Sequence, residues 1–128
     1  MPRRATLVFD GRCGFCTGCV RLIERLDRKR RVTAAPYQKP DVPASVGLTA
    51  EACGKAAWAV TPEGRRYRGA GAVNLVLAVA LGTNLPLAFY RWPLVGHAQD
   101  RAYDWIAANR HRLPGDEPHC SICPGECA

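Results

Sequence analysis

The sequence predicts one α/β domain built on a mixed four-stranded sheet with flanking helices. Three observations carry that expectation. A chain of 128 residues, 48% hydrophobic and 23% charged, has globular proportions and enough length for a single core. Its apolar pattern runs strand, helix, strand, then a hairpin, then helices. A pair of cysteines, Cys13 and Cys16, sits where the first strand passes into the first helix. The domain is expected over residues 1–114, followed by a Cys-rich tail over residues 115–128.

Thr6 to Phe9 reads as a short buried strand. Gly14 to about Arg28 reads as a helix, because Val20, Ile23 and Leu26 recur on one face, with Leu22 alongside, while Arg21, Glu24, Arg25 and Arg28 form the wet face. Val32 to Tyr37 is a second strand, ended by Pro36 and the polar residues after it. A crossover helix between two strands implies that they pair in parallel. A short helix is expected near Thr49 to Cys53. Ala56 to Val60 and Arg65 to Arg68 form a hairpin about the turn Thr61-Pro62-Glu63-Gly64. Ala72 to Leu81 is an apolar helix closed by Gly82. Leu85 to Gly96 reads as an apolar, Pro-containing connector, and Gln99 to Arg112 as an amphipathic helix stopped by Pro114-Gly115. The tail reads as loop, and Trp58, Trp92 and Trp105 are assigned to the core.

The chemistry concentrates at Cys13-Gly14-Phe15-Cys16. Residues three apart on a helix lie about 5–6 Å apart at Cβ, and a disulfide needs Cα atoms about 4.4–6.8 Å apart. The two thiols therefore close and reopen with little backbone movement. Cys13 falls at the helix N-terminus, where free N–H groups and the dipole favour a thiolate. Cys13 is thus the expected nucleophile, with Gly14 leaving its sulfur approachable, and Cys16, one turn inside and less exposed, the resolving thiol. Asp10 has two readings: a proton acceptor during resolution, or a turn and cap residue that binds backbone N–H groups. A C-x-x-C beside a β-α-β pattern reads as a thioredoxin-like redox motif, and the mixed sheet is the thioredoxin-like arrangement.

Phe9-Asp10-Gly11-Arg12-Cys13-Gly14-Phe15-Cys16 resembles the signature of the DCC thiol–disulfide oxidoreductases, named for an Asp-x-x-Cys-x-x-Cys motif. The segments from Gly64 to Val73 and from Tyr103 to Leu113 resemble that family's strand-to-helix segment and last helix. The resemblance covers about residues 5–114 and implies a thioredoxin-like fold, disulfide exchange, and Asp10, Cys13 and Cys16 as the functional residues. Arg110 matches the terminal-helix pattern without an assigned chemistry. Two departures stand out: Cys19 extends the motif to C-x-x-C-x-x-C, and Ala56-Ala57-Trp58 lacks the proline that thioredoxins carry before the third strand.

The chain has seven cysteines, in the groups Cys13/Cys16/Cys19, Cys53 and Cys120/Cys123/Cys127. The N-terminus shows no secretory pattern, so a cytoplasmic protein without structural disulfides is expected. Cys19 is expected off the Cys13–Cys16 edge as a small buried apolar residue, and Cys53 as a core or loop thiol. The expected reading needs no cofactor. The alternative is a metal module: His119, Cys120, Cys123 and Cys127 have the residue types of a zinc site, and with the N-terminal cysteines also suit an iron–sulfur cluster. His97 and His111 are read as surface or packing residues. The net charge of +7 has no nucleic-acid recognition motif beside it, so no nucleic-acid partner is expected. The apolar run Ala72 to Leu81 is too short to span a bilayer. The expected partners are disulfide-containing proteins or small thiols.

Overall fold

The computed structural model describes residues 2–127. Strand β1 (Ala5–Phe9) is followed by helix α1 (Gly14–Leu26) and strand β2 (Val32–Pro36). Two short helices, α2 (Val42–Ser45) and α3 (Ala50–Lys55), lead to the hairpin of β3 (Trp58–Val60) and β4 (Arg66–Arg68). Helices α4 (Ala70–Leu81), α5 (Leu85–Tyr90) and α6 (Pro93–Asn109) follow. A 3-10 turn at Arg110–Arg112 ends α6, and the tail holds α7 (His119–Ile122) and a 3-10 turn at Pro124–Glu126.

The sheet order is β2-β1-β3-β4. β1 pairs in parallel with β2, while β3 runs antiparallel to both β1 and β4. This is the expected mixed α/β sheet of thioredoxin-like type. Alternation along β1 puts Ala5, Leu7 and Phe9 into one core with Val20 and Ile23 of α1 and with Leu75, Val76 and Val79 of α4. Val8 points to the other face, where its partner Trp58 donates its indole N–H to the Ala52 carbonyl of α3 at 3.0 Å. α4 is apolar all round because nine of its residues are buried. Among the described residues no helix is long and apolar enough to cross a membrane.

Several boundaries differ from the sequence expectation for local reasons. α1 stops at Leu26, two residues early, because the buried Asp27 carboxylate accepts the N–H groups of Arg31 and Val32, both at 2.8 Å. Those bonds pull the chain out of the helix and into β2. α4 begins at Ala70, since Gly69, at φ 61°, forms the N-cap instead of breaking the helix. The expected connector is helical: proline at the starts of α5 and α6 is compatible with both, since the first turn has no N–H to lose. Trp92 and Trp105 are each 61% exposed and are not core residues, whereas Trp58 is half-buried. The tail is largely helical turns, not loop.

The topology brings the chemistry to one end of the sheet. β1 ends at Phe9 and runs into Asp10; its parallel neighbour β2 ends beside it, so Gln38 arrives there too. The antiparallel β3 begins there, which places Ala56 and Ala57 alongside. Leu75 is fully buried at the centre of the α4 face. Leu75→Ala is expected to lower stability by about 2–5 kcal/mol, read as a lower urea midpoint at unchanged m-value.

Candidate active site

Cys13 is the N-cap of α1, in extended backbone at φ −96° and ψ 117°. Its Sγ accepts the Cys16 N–H at 3.2 Å. The sulfur therefore occupies the place that a Ser or Asp oxygen takes at other helix starts, satisfying an otherwise unpaired donor. The turn that delivers it is held by the Cys13 N–H on the Asp10 carbonyl at 3.2 Å.

Asp10 is 8% exposed and does not cap α1. Its Oδ1 accepts the Arg12 N–H at 3.0 Å and the Gln38 side-chain N–H at 2.7 Å. Gln38 returns its Oε1 to the Gly11 N–H at 3.0 Å, so one side chain staples both sides of the turn. The other carboxylate oxygen meets Arg110 Nη2 at 3.0 Å in a largely buried ion pair. Arg110 also reaches Cys16 Sγ at 3.8 Å and the Gly54 carbonyl at 3.4 Å. Burial works against the Arg110 charge, but Asp10 and the two cysteines outweigh it and hold its proton more firmly. Arg110 is thus the member of this site that sequence reasoning left without a chemistry. Its signal was present only as a position in a helix pattern, because a contact between residues 94 apart has no local signature.

The sequence expectation for the two sulfurs is reversed in exposure. Cys13 is 3% exposed, while Cys16 is only partly buried. The tail docks on the turn that carries them. Asp116 donates its N–H to the Gly14 carbonyl at 3.0 Å, His119 donates to Thr17 Oγ1 at 3.1 Å, and Cys120 donates to the Gly11 carbonyl at 2.9 Å. Gly14 does not serve to leave the sulfur approachable; a Cβ there would lie 2.5 Å from the Asp116 carbonyl oxygen. Phe9 adds an edge-on ring contact to His119 at 5.6 Å. On the other side, Cys16 lines a cavity of about 450 Å³ with Phe15, Cys19, Ala57, Tyr103 and Ile106. A three-residue helical step falls only about 60° short of a full turn. Cys19 therefore shares the cavity side with Cys16, exposed rather than buried as expected. At the Ala56-Ala57 segment, where thioredoxins carry proline, Ala57 donates its N–H to the Tyr103 hydroxyl at 2.8 Å. An open cavity of about 550 Å³ at the opposite end of the sheet, lined by Thr6, Thr33 and Val60, holds no cysteine.

The remaining candidates are placed as follows. Cys53 is buried, as expected of a core thiol. Cys120 and Cys127 are joined in a disulfide, which corrects the expectation of a chain without one. Their sulfurs are therefore not offered as ligands, and the set His119, Cys120, Cys123 and Cys127 is not assembled. His119, Cys123 and Glu126 instead bring their ligand atoms within 4.8 Å of one another, with His119 Nε2 and Glu126 Oε2 at 2.6 Å.

Burial, then the hydrogen bond to Cys13 and the charge on it, push the Cys16 thiol up to about 12, while Arg110 pulls the other way. A raised value means that Cys16 stays protonated through neutral pH. Alkylation of Cys16 in the reduced protein, followed by peptide mass spectrometry, is expected to speed up about tenfold per pH unit through the mildly alkaline range without a plateau. Arg110→Met removes the cation beside the Cys16 sulfur and is expected to slow that alkylation by a few-fold to about tenfold at fixed pH, with Arg110→Lys recovering part of the rate.

A family model for DCC1-like thiol-disulfide oxidoreductases matches residues 7–116. Neither a curated relative nor a solved structure matches the chain. The match spans most of β1, the Cys13–Cys16 turn, the other three strands, Arg110 and the first two residues of the tail. The chain belongs to the DCC1-like thiol-disulfide oxidoreductase family.

Proposed function

We propose that this chain exchanges a Cys13/Cys16 dithiol and disulfide with disulfides of proteins or small thiols, within the general thiol–disulfide oxidoreductase role its family carries. One observation carries the assignment of roles: Cys13 Sγ accepts the Cys16 N–H at the start of α1, while Cys16 is held as a thiol. A sulfur that receives N–H donors at a helix N-terminus is stabilised as thiolate, by about 0.3–1 kcal/mol from the dipole at an exposed site and more when partly buried. Cys13 attacks the substrate disulfide and forms a mixed disulfide. Cys16 then attacks Cys13 and releases the substrate as a dithiol. Cys16 must lose its proton at that step, and Arg110 is the cation beside its sulfur. Asp10 acts through Arg110: its lone pairs are occupied by Arg12, Gln38 and Arg110, so it holds the cation in place. The reading takes the cytoplasm as its compartment, where a persisting disulfide is more often catalytic than structural.

Insulin-disulfide reduction by the full chain, with a dithiol reductant present, tests this. Cys13→Ser is expected to lower the rate by about a hundredfold or more, and Cys16→Ser to accumulate a mixed disulfide on Cys13. Chelator treatment is expected to leave the wild-type rate unchanged. Full activity in Cys13→Ser rules out this nucleophile. One equivalent of metal that resists removal, together with no insulin reduction, favours the metal-module alternative.

A further inference from the structure

We propose that the Cys120–Cys127 disulfide is an internal exchange partner of the Cys13/Cys16 pair, so that the tail is a second redox centre of the same chain. The proposal rests on the reading of Cys13 as the nucleophile. Its geometry is independent of any external substrate. The chain holds both a dithiol and a disulfide: Cys13 and Cys16 are free, and Cys120 and Cys127 are bonded. The disulfide is seated on the turn that carries Cys13. Cys120 is anchored by its N–H to the Gly11 carbonyl at 2.9 Å, and its Sγ packs so closely over Gly11 that a Cβ there would lie 2.8 Å from it. Gly11 is two residues from Cys13. Three glycines make the seating possible. A Cβ on Gly11 would strike Cys120 Sγ, one on Gly14 would strike Asp116, and one on Gly115 would overlap the Gly14 backbone. Cys13 itself is only 3% exposed. A sulfur this buried offers little to a disulfide from outside, whereas the tail's own disulfide sits on the turn that carries it.

The exchange balances within the chain. The Cys13 thiolate bonds to Cys120 Sγ, and the Cys120–Cys127 bond breaks with its electron pair leaving on Cys127. The Cys16 thiol passes its proton to the Cys127 thiolate, and its sulfur then bonds to Cys13, releasing Cys120 as thiolate. Two electrons have moved from Cys13/Cys16 to Cys120/Cys127, and charge and protons are conserved.

The test uses the full chain with no external disulfide. Reduced Cys16→Ser is given one equivalent of a small-molecule oxidant, quenched in acid, and its disulfides are mapped by peptide mass spectrometry. The expected product is a monomer in which Cys13 is bonded to Cys120 or Cys127. A second measurement guards against a misfolded variant. Wild-type protein treated in the same way is expected to redistribute its disulfide between the two pairs at a first-order rate that changes less than about twofold on tenfold dilution, as an intramolecular reaction requires. Cys13 left as a free thiol beside a closed tail disulfide in the variant, or a wild-type redistribution that slows in proportion to dilution, overturns the proposal. If those failures occur while insulin reduction still depends on Cys13, the external exchange reading stands and only the internal partner is lost. Internal linkage without insulin reduction supports the internal partner and removes the external one.

Discussion

The atom on which this structure turns is Cys13 Sγ, because it is at once a helix cap and the sulfur proposed as nucleophile. A helix start leaves N–H groups without partners, and a capping side chain typically contributes about 1 kcal/mol by taking one. Here the cap is a thiol, a weak acceptor as S–H and a far better one as thiolate. The Cys16 N–H that the α1 start leaves open is taken by the Cys13 sulfur. Local structure and chemistry are the same interaction.

The charges around the pair follow from that arrangement. Cys16 lies one turn from Cys13, so a charge on Cys13 opposes a second on Cys16, and burial adds to the opposition. A pair in which both sulfurs ionised equally would have no division of labour. Arg110 eases the second ionisation from outside the motif, and it is itself held by Asp10 in a pair with little solvent access. Removing one partner of such a pair leaves a buried charge uncompensated, at about 3–5 kcal/mol. Asp10 and Arg110 therefore act as one unit.

Much of this was legible in the sequence, and the illegible part has a common cause. β1, α1, the hairpin and the apolar α4 follow from local period and turn chemistry, and Cys13 falls at the helix N-terminus because the strand and helix patterns meet there. The early end of α1 was missed because Asp27 is read locally as another polar helix residue, while its effect comes from two N–H groups beyond the helix. Trp92 and Trp105 were misplaced because an aromatic residue on an apolar stretch is assigned inward by default, and nothing local says which side of α5 and α6 is covered. Arg110, Gln38 and the docked tail act across 28 to 109 residues, as the pairs Asp10–Gln38 and Gly11–Cys120 illustrate. Periodicity carries no information at that range. The exposure of Cys13 and Cys16 was reversed for the same reason: a helix position fixes direction, whereas burial depends on what later segment arrives.

The pair is consequently two-sided, with Cys16 lining a cavity and Cys13 buried at the turn on which the tail docks. Lifting the tail from Cys13 breaks the bonds from Asp116, His119 and Cys120 to Gly14, Thr17 and Gly11. At a net worth of about 1 kcal/mol each, their loss costs roughly 3 kcal/mol. The Arg21–Asp116 ion pair at 3.6 Å is solvent-exposed and adds little. A barrier of that size slows attack on an outside disulfide about a hundredfold relative to a tail already undocked. The tail disulfide, by contrast, is already seated over Gly11, two residues from Cys13. In the proposed exchange, seating therefore discriminates between partners before any difference in sulfur chemistry enters, because the same three bonds hold the tail on the turn that carries Cys13.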